Sequence, residues 1–141
     1  MKERMIMVNF FCIKMQYQAV NFLIFLFFCI NYMKTSKFRP HLVPKILDGT
    51  KTSTWRLFDD KDFHEGDLLE LINKENLEVF AKAKIVSVEE KELGELTDED
   101  WVGHDKFESD EEMYSIFSKY YGKEVTPKDK IKIVVFELIN N

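Results

Sequence analysis

The densest run of chemistry-bearing side chains in this sequence is Gly49-Thr50-Lys51-Thr52-Ser53-Thr54-Trp55-Arg56. Alternating β-branched and aromatic residues from Thr52 to Leu57 predict a strand. A strand's period of two puts Thr52, Thr54 and Arg56 on one face and Ser53 and Trp55 on the other. Lys51 sits where the chain leaves Gly49, so its long side chain can swing towards either face. A hydroxyl, an ammonium and a guanidinium brought together suit a nucleobase carbonyl or a phosphate. The competing account makes Thr52 and Thr54 ordinary strand residues and pairs Arg56 with an acid of the Asp59–Glu65 loop.

Other candidates carry less chemistry. Asp59, Asp60, Asp62, His64, Glu65 and Asp67 invite a calcium site. The twelve-residue calcium-loop template fails on them, because a start at Asp60 puts Glu65 where Gly is needed and Leu71 at the last ligand position. A solvated acidic loop is the better expectation. Trp55 and Trp101 could stack on a base, but packing in a core or rim is favoured for both. His104, beside Asp105, could carry protons; a solvent-facing turn residue is favoured. The two cysteines, Cys12 and Cys29, precede Met33, so the rest of the chain has neither a thiolate metal site nor a thiol nucleophile. His41, His64 and His104 are too scattered to suggest a metal site by spacing. No metal and no cofactor are expected.

The elements that would position these groups follow from periodicity and punctuation. His41 to Asp48 reads as a short helix closed by Gly49, with Pro44 tolerable only in its first turn. Strands are expected at Thr52–Leu57, at Asp67–Ile72 after the turn at Gly66, and at Leu77–Val88. Thr97, followed by three acids, reads as the N-cap of a short helix. Ser109-Asp110-Glu111-Glu112 is a capping box opening a helix with Met113, Ile116, Phe117 and Tyr120 on one face, ended by Gly122. Lys130–Ile139 reads as a buried closing strand. The order α-β-β-β-α-α-β predicts a small α+β domain.

Length and charge bound the rest. The chain has 141 residues, 45% apolar and 32% charged, enough for one ordinary domain. Its net charge is −5, and the first 33 residues carry Lys2, Arg4 and Lys14 against Glu3, so the acidic excess belongs to the remainder. An acidic domain is not a general nucleic-acid coat, since non-specific binding comes from neutralising phosphates with Lys and Arg. An acidic surface would also serve a protein-interaction module, though no motif speaks for one.

The boundary falls at Met33. Before it, Phe22–Ile30 is an unbroken apolar run, extending to fifteen residues over Ala19–Met33. That is short for a bilayer span, which takes about 20 apolar residues. No small-residue cleavage site follows it. The segment reads as a short membrane anchor over 19–33, as a helix folded on the domain, or as sequence preceding a true start at Met33. The abrupt change in composition favours the last. The expected division is therefore 1–33 and 34–141.

Taken in order, these residues resemble a family. Ile46-Leu47-Asp48-Gly49-Thr50-Lys51-Thr52-Ser53-Thr54-Trp55-Arg56, then Gly66-Asp67-Leu68-Leu69-Glu70-Leu71, is similar to the opening of ASCH domains. Leu96–Tyr121 resembles their acidic turn and second helix, and Lys132–Leu138 their closing strand. The likeness runs over residues 34–141. It implies a PUA-like fold, a small β-barrel with flanking helices, in the cytoplasm. It implies a cleft binding RNA or a modified nucleoside, not DNA, lined by Lys51, Thr52, Thr54 and Arg56. Some bacterial members are amidohydrolases that remove the acyl group of N4-acetylcytidine with a Lys, a Thr and a Glu. Lys51 and Thr54 match the first two, as base and nucleophile. The Glu stands in a Glu-Gly-Phe-like stretch in the family. The match here is Asp105-Lys106-Phe107, so Asp105 would orient Lys51 or shuttle a proton, the acid is one methylene shorter, and the glycine is lost.

Overall fold

The computed structural model describes Asn21, Leu23, residues 32–58 and residues 61–140. The chain divides into two units, Met1–Tyr32 and Met33–Asn141. The apolar run Phe22–Ile30 and its candidate roles lie outside the described residues, apart from Leu23. Among the described residues, no helix is long and apolar enough to cross a membrane.

Five strands make the second unit: β1 (Lys34–Phe38), β2 (Ser53–Leu57), β3 (Leu68–Asn73), β4 (Val79–Glu92) and β5 (Lys130–Leu138). They form one mixed sheet in the order β1-β3-β4-β5-β2, with β1 parallel to β3 and the other pairs antiparallel. The sheet curls into a half-barrel flanked by two helices, α1 (Val43–Leu47) and α2 (Asp110–Tyr121). It is the α+β, PUA-like arrangement expected above. β1 and β2 are its edges, and Arg56 Nη2 on β2 donates to Ser36 Oγ on β1, bridging them.

Alternation along the strands sorts side chains into two cores. On β5, Val134 and Phe136 join Phe38, Ile46, Leu69, Leu71, Ala83 and Ile85, while Ile131 and Ile133 join Trp55, Leu57, Leu93, Met113 and Val125. One long strand reaches both cores. The β4–β5 register shifts between Ile85 and Ser87, leaving Val86 exposed, and a bulge of this kind bends a strand.

Several expectations need correction. Lys34–Phe38, which no sequence signal marked, is a strand. The stretch from His41 begins as a 3-10 turn at Pro40–Leu42 before α1, with Pro44 in the first turn of α1. The short helix after Thr97 is a 3-10 turn, Asp98–Trp101; its cap is real, since Asp100 Oδ2 accepts from both the Thr97 N–H (2.7 Å) and its Oγ1 (3.1 Å). Leu77 takes a left-handed φ of 61°, so β4 starts two residues later than expected. In the acidic loop, Phe63 is buried in the first core, so that segment is pinned and not merely solvated. Asp59 and Asp60 lie outside the described residues.

α2 keeps its N-cap, with Ser109 Oγ accepting from the Glu112 N–H at 3.1 Å. The Glu112 carboxylate, however, reaches Glu108 N (2.7 Å), one residue ahead of the cap. Gly122 closes the helix at a φ of 71°, donating to Ser118 O at 2.9 Å.

Candidate functional site

Gly103 determines where the site forms. Its carbonyl accepts from the N–H groups of Thr52 (2.9 Å) and Ser53 (3.1 Å), tying the loop after the Asp98–Trp101 turn to the start of β2. Its φ is 72°, and a Cβ there would lie 2.0 Å from Thr52 Oγ1. Only glycine fits both demands. The contact brings His104 and Asp105 beside Lys51, which is held at the end of α1 by its N–H to Lys45 O (2.9 Å).

A cleft of about 260 Å³ opens along this junction. Lys37, Phe38, Arg39, His41 and Leu42 line it from β1 and the turn after it. Lys51, Thr54, Trp55 and Arg56 line it from β2 and its approach, and Lys74 from the β3–β4 turn. His104, Asp105 and Phe107 come from the Gly103 loop, and Ile116, Phe117, Tyr120 and Tyr121 from α2. Of the residues expected from sequence, Lys51, Thr54, Arg56 and Asp105 meet there. Thr52 does not line the cleft; its side chain lies against Gly103.

The deep end is buried and aromatic. Lys51 is 5% exposed and Thr54 8%. Burial pushes the Lys51 ammonium below its ordinary pKa, helped by the charges of Lys45 and Arg56, while Asp105 pulls it back up. The Lys51 ammonium makes no hydrogen bond or ion pair with a described residue; only its backbone N–H is bonded. Asp105 accepts from Lys45 Nζ at 2.7 Å instead. Burial alone would raise the Asp105 carboxyl, but the Lys45 hydrogen bond and the charges of Lys51, Lys45 and His104 hold it below its usual value.

His104 is a correction to the expected solvent-facing residue. Its ring stacks on Trp55 with centroids 4.1 Å apart and planes 16° apart. Burial, then the Lys51 charge, push its pKa down to about 4, so it is neutral near pH 7. Nδ1 lies 2.8 Å from the Asp105 backbone oxygen. A carbonyl only accepts, so the proton sits on Nδ1 and Nε2 is left as an acceptor. Trp55 is buried against Trp101 (4.5 Å between centroids), as packing predicts, yet its indole N–H has no partner among the described residues. Buried unpartnered donors are uncommon, and the Arg56 Nε–H is a second among the described residues.

Charge separates this cleft from the rest of the molecule. Five cations, Lys37, Arg39, Lys51, Arg56 and Lys74, line it with one carboxylate, and Lys45 already neutralises that one. Among the described residues none of the five has a carboxylate within 4.0 Å. No group of three or more His, Cys, Asp or Glu side chains among the described residues is placed to hold a metal. Lys37, Arg39 and Lys74 were missed in sequence because two segments outside the Gly49 motif supply them; His104 was weighed there only as a proton carrier or a turn residue. The Lys-Phe-Arg of residues 37–39, placed just ahead of the Gly49 motif, was the one available signal.

No family model and no curated protein matches the chain. Solved structures do. An ASCH domain from Lactobacillus crispatus superposes with a TM-score of 0.58 at 16% identity, covering 76% of this chain and 80% of that one. A protein from Enterococcus faecalis gives 0.63 at 14% identity, covering 86% and 91%. An ASCH protein from Zymomonas mobilis gives 0.54 at 12% identity, covering 75% and 71%. At such identities the likeness is one of backbone path. The fold of this chain is the ASCH fold.

Proposed function

We propose that the cleft binds a nucleobase-bearing ligand, RNA or a nucleoside, in the cytoplasm. The observation that carries this reading is the gathering of five basic side chains, none with a described carboxylate within 4.0 Å, around an aromatic-walled cleft on a chain of net charge −5. Aromatic faces suit flat bases, and cations suit the phosphates joining them. Trp55 and Trp101 are the chain's two tryptophans, so intrinsic fluorescence reports on this one place. Titration with a short oligoribonucleotide is expected to quench it saturably, with a salt slope corresponding to about one to three phosphates. Arg56→Ala is expected to weaken binding about tenfold, a loss of the size expected for one charge-assisted hydrogen-bonding group. A flat titration with RNA and with nucleosides overturns the reading.

One observation favours a second reading, amide hydrolysis on an N4-acylated cytidine: a buried lysine with a depressed pKa and a buried threonine hydroxyl line the same cleft. Thr54 Oγ would attack the acyl carbon while neutral Lys51 takes its proton. The cytosine amine leaves with that proton, and water then hydrolyses the Thr54 ester to release the carboxylate. Asp105 would act on Lys51 by its charge. Incubation with N4-acetylcytidine should then yield equal amounts of cytidine and acetate, and Thr54→Ala should abolish both. No turnover by the intact chain ends this reading and leaves the binding one.

A further inference from the structure

The cleft has two ends of different character. Buried Lys51 and Trp55 form a floor with half-buried His104, whereas Lys37, Arg39 and Lys74 stand exposed at the mouth, the last two beside Tyr120. The Arg39 guanidinium carbon lies 5.5 Å from the Tyr120 ring centroid and Lys74 Nζ lies 5.2 Å from it. A ring orients both cations but carries no net charge, so their positive charge stays available. Resting on the reading of the cleft as a nucleobase site, we propose that its ligand is a nucleotide with a terminal monophosphate. The base enters the floor and the phosphate dianion sits between Arg39 and Lys74 at the mouth.

Three observations converge on this ligand. Arg39 and Lys74 share one ring and have no described carboxylate within 4.0 Å, so they repel, and a neutral nucleoside would leave that repulsion in place. A terminal monophosphate carries about −1.5 to −2 at pH 7, more than the single charge of an internal diester. The volume, about 260 Å³, lies just below the roughly 300–1,000 Å³ of ordinary small-molecule pockets, which suits one nucleotide and not a buried run of several. Finally, Arg56 lies between β1 and the floor with its Nη2 on Ser36 Oγ and its buried Nε–H unpartnered. A ligand acceptor beside it would satisfy that donor. The exposed mouth admits either a free mononucleotide or the phosphorylated end of a strand.

The test uses the full chain and tryptophan fluorescence with cytidine, cytidine 5′-monophosphate, and a hexaribonucleotide with and without a 5′-phosphate. The monophosphate is expected to bind at least about tenfold tighter than cytidine at low salt, and the gap to shrink as salt screens the mouth. The double variant Arg39→Gln/Lys74→Gln should lose about tenfold for the monophosphate and under about threefold for cytidine, since only the charged contact is removed. A preference for the phosphorylated hexamer over its twin assigns strand ends as well; discrimination by the mononucleotide alone assigns the free nucleotide. Cytidine and its monophosphate binding alike, or a gap that survives the double variant, overturns the phosphate assignment and leaves the nucleobase reading standing. Failure of every probe to bind overturns both.

Discussion

Two aspartates five residues apart on one loop, Asp100 and Asp105, each hold a lysine, and they do opposite work. Asp100 is nearly sealed, with its side chain 6% exposed. It takes Lys91 Nζ on both oxygens (3.0 and 3.1 Å) and the N–H and Oγ1 of Thr97. Asp105 has a side chain 40% exposed and accepts from Lys45 alone. A saturated carboxylate fixes a turn. An unsaturated one, aimed at a buried lysine's field, can still respond to a ligand. Gly103 lies between them and lets one loop serve both ends.

The largest effect is expected where that comparison hinges. Gly103→Ala puts a methyl 2.0 Å from Thr52 Oγ1 at a positive φ. The left-handed backbone alone costs a non-glycine residue about 1–2 kcal/mol, and the overlap adds to it. A loss of about 3 kcal/mol in denaturant unfolding is expected, of the size reached only by such named defects. The ligand site should go with it, because both His104 and Asp105 lose their anchor. A variant as stable as the parent would show that the loop is not pinned at Gly103.

The next effect is on pH dependence. His104 titrates near its ordinary 6.5 when unfolded and at about 4 when folded. Between those values the unfolded chain holds the extra proton, so stability falls as the pH drops, by about 1.4 kcal/mol per pH unit. Above about 6.5 the term is fully present, and below about 4 it is gone. His104→Phe, which keeps a ring on Trp55, should flatten the stability profile between pH 4 and 6.5. An unchanged slope would place its origin elsewhere.

Asp100→Ala comes third. It strips the Thr97 N–H of its partner and leaves Lys91 only Glu89, 3.3 Å away, and losing a cap of this kind costs about 1–2 kcal/mol. Its folded pKa is depressed: burial pushes the carboxyl up, but the Thr97 and Lys91 bonds outweigh burial. The stabilisation is therefore present above the unfolded carboxylate value and is lost as pH falls through the folded one. Acid unfolding of Asp100→Asn should lack that component. An identical acid limb would remove the saturated-carboxylate half of the comparison.

How far the sequence disclosed all this depends on the range of the interaction. β2 and β5 were legible because alternation is local, and Gly49, Ser109 and Gly122 because caps are short-range chemistry. β1 was not, since Lys34-Thr35-Ser36-Lys37-Phe38 offers one large apolar residue and pairs in parallel with a strand some thirty residues on. Lys51, Thr54 and Arg56 meet in the cleft because they share one strand and its approach. Thr52 was expected beside them by parity, but the Gly103 carbonyl claims that position. His104 read as solvent-facing because nothing local signals a ring stacked on Trp55 from another element.

The smallest effect on stability, and the sharpest on function, is expected at Asp105. An exposed ion pair contributes at most about 0.2–1 kcal/mol, so Asp105→Ala should barely shift unfolding. Its charge, though, is what raises the Lys51 pKa against burial. Removing it should lower that pKa further and enlarge the neutral fraction of Lys51 near pH 7. If the amide-hydrolysis reading holds, the pH–rate limb assigned to Lys51 moves to lower pH in Asp105→Ala. Asp105→Glu restores the charge with one methylene more and should move the limb back. Nitrogen-15 NMR titration of Lys51 Nζ reads the same shift without any substrate. An Nζ titration identical in parent and Asp105→Ala would show that Lys45 absorbs the whole of the Asp105 charge, making Asp105 as structural as Asp100.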